Sequence, residues 1–206
     1  MQFIQRQLCY GKEIVESLLR FSRPSREIKR TERLNPVLQG VLNMMEPTVR
    51  HKNVQLVHDL RATDAALVYA GRNELEQVLV NLCDNALDAM PQGGELTMST
   101  QVQQERSIMI HVHDTGTGIP QARMPRIFEP FYTTKEPGKG TGLGLAICRR
   151  IIGEAGGTIE ATSELGQGTT FTIRLPLAGL AHEALPTAPP AIGALLRDRG
   201  PTAPDA

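Results

Sequence analysis

Apolar positions recur along this chain with two periods, and the points where one period gives way to the other mark out its elements. Leu8, Ile14, Val15, Leu18 and Leu19 make a roughly helical stripe from Gln5 to about Phe21, ended by the breaker Ser22-Arg23-Pro24-Ser25. A basic linker, Arg26 to Arg33, leads to Asn35-Pro36, where Asn as cap and Pro in the first turn predict a helix start. Val37, Leu38, Val41, Leu42, Met45 and Val49 give that helix its apolar face. Short alternating runs at Val54–Val57 and Leu67–Tyr69 predict strands. A second helix is predicted from Asn73 to about Met90, stopped by Pro91 and Gly93-Gly94. Strands follow at Glu95–Thr100 and Ser107–His113, the latter alternating Ile108, Ile110 and Val112 with Met109, His111 and His113.

From Asp114 to Gly142 the pattern breaks into a Gly- and Pro-rich stretch too long for a simple connection, which predicts either a functional lid or a disordered segment. A helix from Gly142 to about Ala155 and a hairpin of Thr158–Thr162 with Thr169–Leu175 close the patterned region. Beyond Leu177 the chain is rich in Ala and Pro and is expected to be disordered. The mixture predicts an α+β sandwich, with a mixed, largely antiparallel sheet covered by helices on one face. The expected organisation is a short helical attachment over 1–25, one domain over 34–177 and a tail over 178–206.

Composition narrows the choice of partners. A length of 206 residues fits one domain plus attachments, and a formal net charge of zero gives no electrostatic case for nucleic acid. Cys9, Cys83 and Cys148 lie far apart with no C-x-x-C pair, so a reducing cytoplasm is the expected setting. No apolar run approaches the roughly 18 residues of a membrane span.

Three segments carry candidate chemistry. On the second helix, Glu74, Gln77, Asn81, Asn85 and Asp88 fall opposite Leu75, Val78, Leu79, Leu82, Ala86 and Ala89. Asparagine is a poor helix former, so two of them one turn apart suggest use rather than stability. Their amide oxygens suit a hard cation such as Mg²⁺, and their N–H groups suit phosphate. Asp114-Thr115-Gly116-Thr117-Gly118-Ile119 follows directly on a strand. A carboxylate there can accept from an exocyclic amine, and the glycines let a flat base approach the backbone, which suits adenine. Gly138-Lys139-Gly140-Thr141-Gly142-Leu143-Gly144-Leu145 opens the next helix with N–H groups free to face anions. The chain contains neither G-x-x-x-x-G-K-[ST] nor a matching G-x-G-x-x-G, so phosphate would be held differently from a P-loop.

In this order the segments resemble the ATPase superfamily of histidine kinases, type II topoisomerases, mismatch-repair ATPases and a class of chaperones. Asn81-Leu82-Cys83-Asp84-Asn85-Ala86 resembles its asparagine box, and the Asp114–Ile119 segment its first glycine box. Ile127-Phe128-Glu129-Pro130-Phe131-Tyr132-Thr133-Thr134-Lys135 is similar to the phenylalanine box of histidine kinases. Gly140–Leu145 resembles the second glycine box, and Gly166-Gln167-Gly168-Thr169-Thr170-Phe171 the closing glycine segment.

The resemblance implies ATP and Mg²⁺ as ligands. It implies that Asn85 ligates Mg²⁺ with Asn81 close by, and that Asp114 reads the adenine amine with help from Gly118 and Thr169. Gly116 and Ile119 share that segment. Thr133, Thr134 and Lys135 are placed at an ATP lid, with Lys135 and Lys139 reaching phosphate. The backbone of Gly140, Thr141, Gly142, Leu143, Gly144 and Leu145 holds the phosphates. Asp88 stands where many histidine kinases carry a basic residue, and in this the chain resembles the nitrogen-regulator-like subgroup. Phe128 and Phe131 are expected as core aromatics that anchor the lid. Asn81 occupies the position at which ATP-hydrolysing members carry a Glu base, and an amide cannot take that proton at neutral pH. That favours a kinase, with the γ-phosphoryl passing to a histidine and then to an aspartate of a response regulator.

None of His51, His58, His111, His113 and His182 has the acceptor's setting. The acceptor is therefore expected on a dimerisation hairpin outside this sequence, a homodimer in the intact kinase, of which the 1–25 segment resembles the end of the second helix. The competing readings are a Ser/Thr kinase of the anti-sigma-factor type and a non-catalytic ATP-binding scaffold.

Overall fold

The computed structural model describes residues 28–61, 66–104, 106–136 and 140–178. The expected 1–25 helix, nearly all of the 178–206 tail, His182 and Lys139 lie outside them. Three helices, α1 (Leu34–His51), α2 (Arg72–Ala89) and α3 (Gly144–Glu154), accompany seven strands. These are β1 (Arg30–Arg33), β2 (Val54–Asp59), β3 (Leu67–Ala70), β4 (Gly94–Gln103), β5 (Ser107–Asp114), β6 (Thr158–Glu164) and β7 (Gly168–Pro176). A five-stranded sheet runs in the order β2-β4-β5-β7-β6, and β1 pairs with β3 in a separate ribbon. Only the β2–β4 pair in the large sheet is parallel. This is the mixed α+β architecture expected from the alternation of periods.

One face of the large sheet makes the core. Ile108, Ile110 and Val112 of β5 are buried, together with Leu96 and Met98 of β4 and Phe171, Ile173 and Leu175 of β7. Onto them pack the apolar stripes of all three helices, including Leu38 and Leu42 of α1, Leu79 and Leu82 of α2, and Ile147 and Ile151 of α3. The opposite face stays half-exposed and polar. There His111 Nδ1 lies 3.1 Å from Thr172 Oγ1 and His113 Nδ1 lies 3.0 Å from Thr170 Oγ1. Among the described residues, no helix is long and apolar enough to cross a membrane.

Several expectations need correction. The first helix begins at Leu34, with Arg33 as an extended cap residue, so Asn35 lies inside the first turn instead of capping it. Leu34 instead donates its N–H to the Ala66 carbonyl at 3.1 Å, a tertiary partner that local cap chemistry cannot reveal. The end of the basic linker is strand β1, registered Arg30 opposite Ala70 through Arg33 opposite Leu67. The irregular stretch contains a 3-10 helix, Gln121–Arg126, with no buried residue. Helix α3 starts at Gly144, two residues later than its pattern suggests, because Gly142 sits at a φ of 69° that the helix cannot include.

Candidate nucleotide site

The sheet register builds one end of the site. β5 and β7 pair so that Asp114 lies directly opposite Thr169, the first inward-facing residue after Gly168. Both are buried, with 3% and 4% of their surface exposed, although neither is apolar. Such burial demands hydrogen bonds. Asp114 Oδ1 accepts from the Gly116 N–H at 2.8 Å, a local turn that bends the chain away from the strand. Ser163 completes the arrangement from β6: its hydroxyl donates to the Gly168 carbonyl at 2.8 Å and accepts the Ile119 N–H at 2.8 Å. With its single proton so placed, Ser163 Oγ accepts from Thr169 Oγ1 at 3.0 Å, which leaves lone pairs on Thr169 for a ligand's donor.

Burial pushes the Asp114 carboxyl above the ordinary aspartate range, against the Gly116 N–H, the charge of His113 and the Thr169 backbone, which favour its anion. Two glycines allow the close approaches this corner requires. At Gly168 (φ 104°) a Cβ would collide with the Asp114 carbonyl, and at Gly118 (φ 69°) with the Glu164 carbonyl.

Helix α2 builds the other end. The Ala89 carbonyl accepts the Thr117 N–H at 3.0 Å, which docks the end of the helix against the glycine segment. One turn earlier stands Asn85, whose Oδ1 lies 3.3 Å from Lys135 Nζ. The same ammonium lies 2.6 Å from Asp88 Oδ2, while Lys52 Nζ reaches Asp88 Oδ1 at 3.0 Å. Burial works against the Asp88 anion, but hydrogen bonds and charge from Lys135 and Lys52 outweigh it and hold the carboxyl below its usual range. Asp84 goes the other way: burial raises it, and the neighbouring Asp88 charge adds to the rise.

Between the two ends lies a cleft of about 790 Å³. Asn85, Asp88, Asp114, Gly118, Ile119, Thr133, Thr134, Lys135, Leu145 and Thr169, all named from the sequence, line it. Gly116 shapes it from behind, where a Cβ would fall 2.6 Å from the Ala89 carbonyl oxygen. Asn81 does not line it; its amide nitrogen lies 3.5 Å from the Gly144 carbonyl and 3.7 Å from Cys148 Sγ, across to α3. Gly140, Thr141, Gly142, Leu143 and Gly144 also stand back from the wall, and Leu143 is fully buried in the core. Phe128 meets Phe171 edge to face at 6.4 Å, as an anchor should. Phe131 does not: it is 56% exposed at a φ of 66°, because its backbone packs directly against Gly142.

The cleft also uses Thr117, Arg123, Tyr132, Glu136 and Phe171, which were not singled out as ligand contacts. Phe171 carries a readable signal, since strand alternation puts it on the same face as Thr169. Arg123 has none, standing on a 3-10 helix without apolar periodicity. Cys83 and Cys148 are buried and their thiols are pushed up to about 12, so they serve as small core residues and not as nucleophiles.

The chain is similar to known proteins in both sequence and fold. Residues 70–179, more than half of the chain, match the family described as histidine kinase-, DNA gyrase B- and HSP90-like ATPases. Sporulation kinase C of Bacillus subtilis (strain 168) is 37% identical over 164 residues, covering 80% of this chain and 38% of the relative. The chain thus spans about two-fifths of that relative's length. Among solved structures, the nucleotide-free catalytic domain of histidine kinase ThkA is 31% identical with a TM-score of 0.64, covering 72% of this chain and 95% of that one. ThkA in complex with the response regulator TrrA matches over 85% of this chain and 49% of that one, at 27% identity and a TM-score of 0.70. Full-length ShkA in complex with AMPPNP is 26% identical with a TM-score of 0.70, covering 80% of this chain and 35% of that one.

Proposed function

The chain belongs to the family of histidine kinase-, DNA gyrase B- and HSP90-like ATPases, and from that premise we propose that its cleft holds Mg²⁺-ATP for phosphoryl transfer to a histidine. The observation that carries the reading is the cleft itself, which sets a buried carboxylate at one end and an amide oxygen facing a cation at the other. Asp114 accepts from the adenine amine, with Thr169 offering lone pairs beside it. A guanine would present a carbonyl oxygen to the same carboxylate and be repelled.

The Asn85 amide oxygen at the far end fits Mg²⁺. It already faces one cation, the Lys135 ammonium, and neutral oxygens are ligands that a hard cation takes. Bound there, the metal would neutralise charge on the phosphates. Asn85 would hold it, and the Lys135 ammonium would supply positive charge at the same end of the cleft.

The acceptor is a histidine of a dimerisation hairpin, and the product phosphohistidine supplies an aspartate of a response regulator. The described histidines argue for an acceptor outside the domain. His111 and His113 lie on the polar face of the sheet, away from the helix layer, and His51 and His58 lie at the end of α1 and on β2. Asn81 offers no base to water, so ATP would be held without rapid hydrolysis. A location in the cytoplasm, where ATP and response regulators are found, goes with this reading.

The test is transfer in trans. With labelled ATP alone, the chain should neither label itself on histidine nor turn ATP over quickly. Given a fragment bearing the histidine hairpin, it should produce acid-labile, alkali-stable label, slowly, because the effective concentration of a tether (roughly millimolar for a short linker) is missing. Acid-stable label on Ser or Thr would move the protein to the anti-sigma-factor class.

A further inference from the structure

At the phosphate end a carboxylate, Asp88, stands beside the space proposed for the most negative part of the ligand. On electrostatic grounds alone this is a poor choice, because a second carboxylate, Asp84, lies one turn earlier on the same helix. The structure shows what makes it tolerable. Each oxygen of Asp88 has its own ammonium: Lys135 on Oδ2 at 2.6 Å and Lys52 on Oδ1 at 3.0 Å. The two lysines differ in what else they touch. Lys135 lines the cleft and also contacts Asn85, whereas Lys52 does not line the cleft and meets it only through Asp88.

Lys52 is held from below. Its N–H is donated to the Thr48 carbonyl at 3.1 Å at the end of α1. The next residue, Asn53, turns the chain at a φ of 55°, with its N–H on the Arg50 carbonyl at 3.1 Å. Gly93, just past α2, approaches this turn so closely that a Cβ would stand 2.5 Å from the Asn53 carbonyl oxygen. The turn that presents Lys52 is therefore wedged against the end of the helix that presents Asp88.

We propose that Lys52 is a positioning residue of the site, acting on bound nucleotide only through Asp88. Its part is to keep Asp88 neutralised when Lys135 leaves that carboxylate for the phosphates. In the free protein Asp88 keeps Lys135 at the mouth of the cleft, against the amide oxygen of Asn85. A ligand with phosphates and a metal competes for both partners and draws Lys135 away. Without Lys52 the exchange would leave a bare carboxylate facing the phosphates. With Lys52 the Asp88 charge stays compensated throughout. The inference rests on the nucleotide reading and adds to it a residue that none of the sequence motifs contains.

The test is a cycle read by calorimetry of the whole chain with Mg²⁺ present, using ADP and adenosine as the two probes. Lys52→Met should weaken ADP about fivefold, the scale of a half-exposed charge pair, and leave adenosine unchanged. Lys52→Arg should restore ADP binding. In an Asp88→Asn background, Lys52→Met should have no effect on ADP, because the charge it compensates is gone. An equal loss in both backgrounds would mean that Lys52 acts directly on the phosphates, and would overturn the proposal. A matching loss of adenosine binding would mean a merely structural lysine, and no loss of ADP binding would mean no role; either also overturns it. Failure of the nucleotide reading looks different: the unsubstituted chain would then bind neither probe.

Discussion

The two ends of the cleft are built on opposite principles. At the Asp114 end the polar groups are buried and pinned by backbone: a sheet register sets Asp114 opposite Thr169, and glycines and Ser163 fix everything around them. At the Asn85 end the polar groups are half-exposed side chains, held by ammonium ions on flexible stems. Exposed ion pairs contribute little stability and rearrange easily, whereas a buried, hydrogen-bonded carboxylate is costly to disturb. The lesson is a division of labour. A flat base is best read by a site already formed, and a flexible, highly charged triphosphate by one that can exchange partners on its arrival.

The largest expected effect tests the rigid end. Asp114→Ala removes an acceptor of charged character, a loss of about 1.5–3 kcal/mol, or roughly 10- to 150-fold in affinity. The loss should be the same for adenosine and ATP, with or without metal. Asn85→Ala should instead leave adenosine unchanged and abolish the effect of Mg²⁺ on ATP binding. If both substitutions act on both ligands equally, the two ends are not separable.

A smaller effect comes from pH. Asp114 reads the amine only as an anion, and burial has raised its carboxyl, so adenosine affinity should begin to fall at a pH above the ordinary aspartate range. Stability should move the other way. Between the unfolded and the raised folded value the native state binds more protons than the unfolded one, so Asp114 lowers stability as pH rises through that window. Asp114→Asn should flatten both dependences, as followed by adenosine titration and thermal melts across that window.

Much of this was legible in the sequence, and the rest was hidden for identifiable reasons. The helices and the five-stranded sheet announced themselves because each buries one face, so period and burial coincide along α2 and β5. β1 has the pattern of a linker because Arg30-Thr31-Glu32-Arg33 offers no apolar position; its one inward side chain is Glu32, 8% exposed. The parallel β2–β4 pairing joins strands separated in sequence by β3 and α2, and neither strand carries a local mark of it. At the site, motif residues located both ends of the cleft. They did not foretell that the Gly140–Gly144 segment stands back from it, or that Lys52 and Lys135 converge on Asp88. Those are tertiary facts between residues dozens of positions apart.

Smaller again is the response to salt. Screening shortens from a Debye length of about 10 Å at 0.1 M to about 3 Å at 1 M. The gain in affinity from adenosine to ADP, owed to the exposed end, should shrink severalfold over that range while adenosine itself barely changes. Equal sensitivity of the two ligands would erase the contrast between the ends. The smallest expected effect lies in the segment over the cleft. Amides of 120–136, which lie on a largely exposed 3-10 helix and irregular chain, should exchange quickly in the free protein and slow with a non-hydrolysable ATP analogue. Equal rates in both states would count against a lid.

The most direct test of the central claim is a single competition titration of the chain, ATP against GTP, with Mg²⁺ present. ATP should bind at one site per chain and GTP should fail to displace it at a hundredfold excess, because Asp114 accepts from an amine and repels a carbonyl. Displacement by GTP at equal concentration, or no saturable binding of ATP, would contradict the account.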